Sequence, residues 1–121
     1  TINALMAASR VLIPCDMNVL ALEGVDDIFE ALETLEDTLG HQLEVAGVLR
    51  TRVDARNQKV NESIGNALRS RYGATLLSTQ IPINTKLSQA QLEGLPIFEF
   101  DANCPGSQAY TQLVEELLGA F

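Results

Sequence analysis

The sequence of 121 residues predicts an α/β unit: one or two layers of helix packed on a short parallel sheet, about three strands with four to five helices in a three-layer arrangement. Three observations predict it. Short apolar runs alternate with longer stretches whose apolar residues recur every three or four positions, the pattern of βαβ units around a parallel sheet. Two of the runs, Val11-Leu12-Ile13 and Leu76 to Ile81, stop at a proline (Pro14 and Pro82). No internal repeat, low-complexity tract or long linker divides the chain, so residues 1–121 read as a single α/β unit of ordinary domain size.

Thr1 is placed to N-cap a short helix through Ala4, Leu5, Ala7 and Ala8. The run Val11-Leu12-Ile13 is wholly apolar, as a strand covered on both faces must be. An amphipathic helix follows: Val25, Ile28, Phe29, Leu32, Leu35 and Leu39 form one stripe, and Glu23, Asp26, Asp27, Glu30, Glu33, Glu36 and Asp37 take the other positions. Gly40 ends it at a C′ position. Leu43 to about Thr51 reads as the second strand. The period-four series Val60, Ile64, Leu68, Tyr72 marks a helix from about Gln58 that Gly73 closes. Leu76 to Pro82 is the third strand. Ser88 and Gln91 have capping-box spacing, which starts a short helical turn. Pro96-Ile97-Phe98-Glu99-Phe100 alternates like a brief extended piece, and Pro105-Gly106-Ser107 leads into a last helix with Ala109, Tyr110, Leu113, Val114, Leu117 and Leu118 on one side. Three parallel strands this apolar leave the Val11–Ile13 edge as an open border, where strands of a longer chain would pair. A first residue that is Thr rather than Met points the same way, to a processed or truncated piece.

Composition narrows the function classes. No apolar run approaches the ~20 residues of a membrane-spanning helix, and no basic segment followed by an apolar stretch reads as a signal peptide. Cys15 and Cys104 lie far apart and, with the one histidine His41, cannot make a four-ligand zinc site. They read as reduced thiols of a cytoplasmic protein. Net charge is −8, but it is segregated. Residues 1–49 carry one Arg against nine acids, and residues 87–121 carry five acids and no Lys or Arg. Residues 50–86 hold Arg50, Arg52, Arg56, Lys59, Arg69, Arg71 and Lys86 against only Asp54 and Glu62. Such segregation makes a basic face on an acidic molecule, or else scattered solvated charges.

No G-x-x-x-x-G-K-[ST] loop, G-x-G-x-x-G or G-x-S-x-G motif occurs, so no phosphate cradle or nucleophile elbow is encoded and no catalytic residue is assigned. The evenly spread acids from Glu23 to Asp37 read as a solvated helix face rather than a metal site, and His41, just past a helix end, as a capping or solvent-facing group. What remains are the carboxyl ends of the strands, where open α/β sheets gather ligands. Those ends carry Pro14-Cys15-Asp16, Thr51-Arg52-Val53-Asp54 and Pro82-Ile83-Asn84. The short polar side chains of Thr51 and Asn84, with the Pro82 carbonyl, suit the edge of a nucleobase.

These segments resemble, in order and spacing, the ParA/Soj partition ATPases, a family related to MinD within the deviant Walker A group of P-loop NTPases. Thr1 to Ala8, Val11-Leu-Ile-Pro14 and Leu20-Ala-Leu-Glu-Gly24 look like the stretch after the Walker B strand. Gly47-Val-Leu-Arg-Thr-Arg-Val-Asp-Ala-Arg56 resembles the family's next strand and loop. Ile81-Pro-Ile-Asn-Thr-Lys-Leu-Ser-Gln-Ala90 with Gly94-Leu-Pro-Ile97 is similar to the segment that begins Ile-Pro-Arg-Asn, and Pro105-Gly-Ser-Gln-Ala-Tyr110 resembles the start of the last helix. Ile83 stands where the family usually has Arg, and Gln91 where it has Pro.

The resemblance implies the C-terminal half of a P-loop NTPase-like fold, from a bacterial, cytoplasmic, nucleoid-associated protein. In the complete protein it implies Mg-bound ATP or ADP, an ATP-dependent homodimer, non-specific DNA as partner and a ParB-like protein that stimulates hydrolysis. It places Pro82 and Asn84 at the adenine, with Thr51 and Asp54 nearby, and Lys86, Arg69 and Arg71 on the DNA-contacting surface. The phosphate loop and magnesium-binding acids would precede Thr1, so no cofactor and no ATP hydrolysis are expected of these residues alone. Two other readings are a MinD-like membrane-associated ATPase and a free-standing, non-enzymatic α/β interaction domain. A final helix with Glu115 and Glu116 and no Lys or Arg argues against membrane attachment.

Overall fold

The computed structural model describes residues 2–120, which fold in the order α1 (Ile2–Ala7), β1 (Arg10–Asp16), α2 (Val19–Leu39), β2 (Glu44–Val53), α3 (Gln58–Tyr72), β3 (Leu76–Pro82), α4 (Thr85–Glu93), α5 (Ile97–Phe100) and α6 (Pro105–Ala120). The proposed cap Thr1 lies outside the described residues. The three strands form one parallel sheet in the order β1-β2-β3.

Strand alternation sorts the apolar residues into two cores, one on each face. On one face Ile13 and Cys15 of β1 and Val48 of β2 pack against Leu22 and Val25 of α2 and Ile64 and Leu68 of α3. On the other, Leu49 of β2 and Leu77 and Ile81 of β3 pack against Ala109 and Leu113 of α6, with Leu87 of α4 beside them. The result is helix, sheet, helix in three layers. The second helical layer stops short of β1, whose Leu12 is 37% exposed and whose Pro14 is exposed on that side. β1, an edge strand in the order β1-β2-β3, is therefore bare on one face.

Several boundaries differ from the sequence reading for local reasons. β1 runs through Pro14 to Asp16, in register with Leu49 and Thr51; an edge strand tolerates a residue without an N–H. α2 begins four residues before Glu23, because Asn18 N-caps it, its Oδ1 accepting from Ala21 N at 2.8 Å. Gly40 ends α2 in the left-handed conformation at φ 64°, as expected. α4 starts at Thr85 rather than Ser88, capped by Asn84. The 96–100 segment is a helical turn and not extended, since Phe100 N bonds back to the Pro96 carbonyl at 3.0 Å. His41 takes part in capping α2, its N donating to the Leu35 carbonyl at 3.3 Å, and its side chain is not free in solvent: Nε2 meets the Leu5 carbonyl at 3.0 Å and joins α1 to the end of α2. Cys15 and Cys104 are both buried and unbridged, and burial, then Asp16 and Asp26, pushes the Cys15 thiol above its ordinary range.

Candidate functional site

The carboxyl ends of β2 and β3 meet the start of α6 around an open hollow of about 240 Å³, lined by Val53, Ala55, Gln80, Pro82, Pro105, Gln108, Ala109 and Gln112. Each wall has a sequence origin. Pro105 opens α6, where a missing N–H costs nothing. Gln108 and Gln112 follow one turn apart and so share a helix face. Ser107, buried, anchors the approach to this helix by donating from Oγ to the Asp101 carbonyl at 2.6 Å. Beside it, a Cβ at Gly106 would lie 2.8 Å from Leu87 Cγ, so only glycine lets α6 settle this closely on α4. On the sheet side, Ile83 N donates to the Val53 carbonyl at 3.0 Å, which keeps β2 and β3 together to the rim.

Of the four residues placed at a nucleobase by the sequence reading, Pro82 lines this hollow. The Thr51 hydroxyl instead donates to Asp16 Oδ1 at 2.7 Å, joining β2 to β1. Asp54 accepts from Arg56 through N at 3.0 Å and Nη2 at 3.0 Å, which braces the β2–α3 loop; these hydrogen bonds hold its carboxyl below the usual range. Asn84 Oδ1 accepts from Lys86 N at 2.8 Å as the α4 cap. The lining amides Gln80, Gln108 and Gln112 were not singled out from sequence. The i, i+4 spacing of the last two on an amphipathic helix was the available signal.

The three cations assigned to a DNA face are divided. Arg69 and Arg71 lie in the last turn of α3, which precedes β3, and Lys86 lies just beyond its end. A strand of seven residues, roughly 20 Å, separates them. Arg71 pairs with Asp26 at 2.6 Å, Arg69 Nη1 donates to Asn66 Oδ1 at 3.2 Å, and Lys86 Nζ lies 5.9 Å from the Phe100 ring centre. Next to Thr51, the exposed Arg52 takes a positive φ of 51°, unusual for a residue with a side chain.

Before it reaches the hollow, β3 is irregular. The β2–β3 register shifts between Val48 and Arg50 and again between Arg50 and Val53. Buried Arg50 donates from Nη2 to the carbonyls of Leu77 at 3.0 Å and Ser78 at 3.3 Å. Glu116 of α6 accepts from Ser78 N at 2.7 Å and Thr79 N at 2.9 Å. Among the described residues no group of three or more His, Cys, Asp or Glu is placed to hold a metal ion, and no helix is long and apolar enough to cross a membrane.

No family model matches the chain. Among curated proteins it is 34% identical over 118 residues to the chromosome partitioning protein ParA of Caulobacter vibrioides, covering 98% of this chain and 44% of that protein. It is 33% identical over 120 residues to the sporulation initiation inhibitor protein Soj of Bacillus subtilis, covering 97% of this chain and 46% of Soj. The chain thus spans less than half the length of these relatives. Among solved structures, apo McdA from Cyanthece superposes with a TM-score of 0.82 at 20% identity, over 98% of this chain and 47% of McdA. The Aquifex aeolicus cell division protein MinD superposes with a TM-score of 0.74 at 22% identity, over 96% and 46%. At these identities the structural matches establish the fold, that of the P-loop NTPase-like sheet.

Proposed function

Since the chain belongs to the ParA/Soj family and corresponds to the C-terminal half of its members, we propose that it forms the nucleobase-holding and DNA-facing flank of a partition ATPase. The observation that carries this reading is the hollow at the carboxyl ends of β2 and β3. Its floor is apolar (Val53, Pro82, Ala109), and three side-chain amides, Gln80, Gln108 and Gln112, stand around it. A flat heteroaromatic ring stacks on such a floor while amides, each offering a donor and an acceptor, meet its edge. At about 240 Å³ the hollow is smaller than the ~300–1,000 Å³ of sites that enclose drug-sized ligands, so it takes the base and leaves sugar and phosphates outside.

The residues present do not fit the rest of an Mg–ATP site. They contain no phosphate loop and, as described, no metal-holding acidic group, so no phosphoryl-transfer step is derived from them. In the proposed whole protein the remaining half would hold phosphates and magnesium. β1 is an edge strand in the order β1-β2-β3 and its face at Leu12 and Pro14 is bare, which supports further strands beside it and further cover over it in the whole protein. Hydrolysis, ATP-dependent homodimerisation, stimulation by a ParB-like partner and action on the nucleoid in the cytoplasm belong to that whole. Lys86 beyond the carboxyl end of β3 and, separately, Arg69 and Arg71 before its start would meet DNA phosphates without reading sequence.

Binding of a fluorescent ATP analogue to the full-length protein tests the base site. Ala55 is exposed and lines the hollow, so Ala55→Trp should fill it and abolish binding while the fold persists; undiminished binding places the base elsewhere. For DNA, Lys86→Ala should weaken binding about equally for unrelated duplexes, and unchanged affinity would take Lys86 off the surface.

A further inference from the structure

Arg50 is an expensive residue where it stands. Only 6% of it is exposed, and its Nε is a buried polar atom without a partner. A buried guanidinium that is only partly satisfied costs stability that an apolar side chain of similar volume would not. What Arg50 does is hold a distortion. It donates to two consecutive carbonyls of β3, those of Leu77 and Ser78, while Glu116 accepts from two consecutive N–H groups, those of Ser78 and Thr79. In a regular strand consecutive N–H groups point to opposite sides, so one carboxylate reaches both only where the strand bulges. Arg50 grips the bulge from β2, and Glu116 grips it from the helical layer.

The bulge sits beside the base hollow: Ser78, Thr79 and Glu116 border a neighbouring depression that shares Gln112 with it. Gln80, which faces Arg50 in the β2–β3 register, and Pro82 lie within three residues of Thr79, and both line the hollow. Gln112, which lines the facing wall, lies one helical turn before Glu116. Bulges re-aim the side chains that follow them. We infer that Arg50 and Glu116 are positioning residues of the base site: together they hold β3 in the bulged course that sets Gln80 and Pro82 opposite Gln112, an inference that rests on the nucleobase reading above.

The test is the affinity of the full-length protein for a fluorescent ATP analogue, measured well below the melting temperature of every variant. Under that condition a residue that only stabilised the fold would leave affinity unchanged, because essentially all molecules are folded. Glu116→Ala and Arg50→Met should each weaken binding about tenfold, roughly 1.4 kcal/mol. The double variant should be little weaker than either single one, since both act through one bulge. Glu116→Gln, which keeps one acceptor oxygen, should fall between wild type and Glu116→Ala. Wild-type affinity in the single variants, or losses that simply add, would overturn the positioning role while leaving the base site standing. A wild-type protein that binds no adenine nucleotide would overturn both.

Discussion

The Tyr72 hydroxyl donates to the Asp26 carboxylate, so the end of α3 is tied to the first half of α2. Arg71 holds the other oxygen of Asp26 at 2.6 Å, and Phe29 stacks on the Tyr72 ring with centroids 4.3 Å apart. Burial first, and then the hydrogen bond to Asp26, pushes the Tyr72 phenol up from 10.0 to about 12. The fold thus favours the neutral phenol. Its contribution is complete below the unfolded value of 10.0 and is lost as pH rises through about 12. Thermal melts across this range should show stability falling between those values, and Tyr72→Phe should remove that part of the fall. An identical alkaline limb in the variant would show that the tie is immaterial.

Glu116 gives the opposite dependence at acid pH. Partial burial pushes its carboxyl up, but hydrogen bonds from Thr79 and Ser78 outweigh that and hold it below the ordinary glutamate range. A lowered folded-state value means stability present above the unfolded value and lost as pH falls through the folded one. Chemical denaturation at a series of acid pH values should therefore show a shallower acid limb for Glu116→Gln than for wild type. Parallel limbs would mean that the carboxylate charge contributes nothing at the bulge.

Gly47 is required by a close approach rather than by a turn. A Cβ there would lie 2.5 Å from Leu77 Cγ, inside the core under α6. Gly47→Ala should destabilise the protein by about 1–3 kcal/mol, the usual cost of overpacking, as read from the urea midpoint at unchanged slope. A neutral substitution would mean that Leu77 has room to turn aside.

The order of strands and helices was legible because it rests on periodicity: Val25 to Leu39 and Val60 to Tyr72 could pack only as helices, and the apolar runs only as covered strands. Boundaries were less so where one side chain decides them. Asn18 and Asn84 act as caps, and nothing in hydrophobic pattern distinguishes a capping asparagine from a loop one. Asn84 illustrates this for the site, since its polarity read as ligand recognition and its Oδ1 also serves the α4 backbone. Thr51 and Asp54 were likewise visible as strand-end polar groups, but their partners, Asp16 and Arg56, were not. Arg50 sat in a conspicuous basic segment and was counted with surface charge. It is buried between two register shifts of the β2–β3 pair, a non-local feature that local spacing does not encode. The lining of the hollow by Gln80, Gln108 and Gln112 joins β3 to α6 and required the fold itself.

The central claim is that the hollow between β2, β3 and α6 holds a nucleobase. The most direct measurement is an NMR titration of isotope-labelled full-length protein with ATP, following the side-chain amide signals of Gln80, Gln108 and Gln112. All three should shift saturably with one shared dissociation constant. If ATP binds while those three amides stay where they are, the base lies elsewhere and the account of this site is wrong.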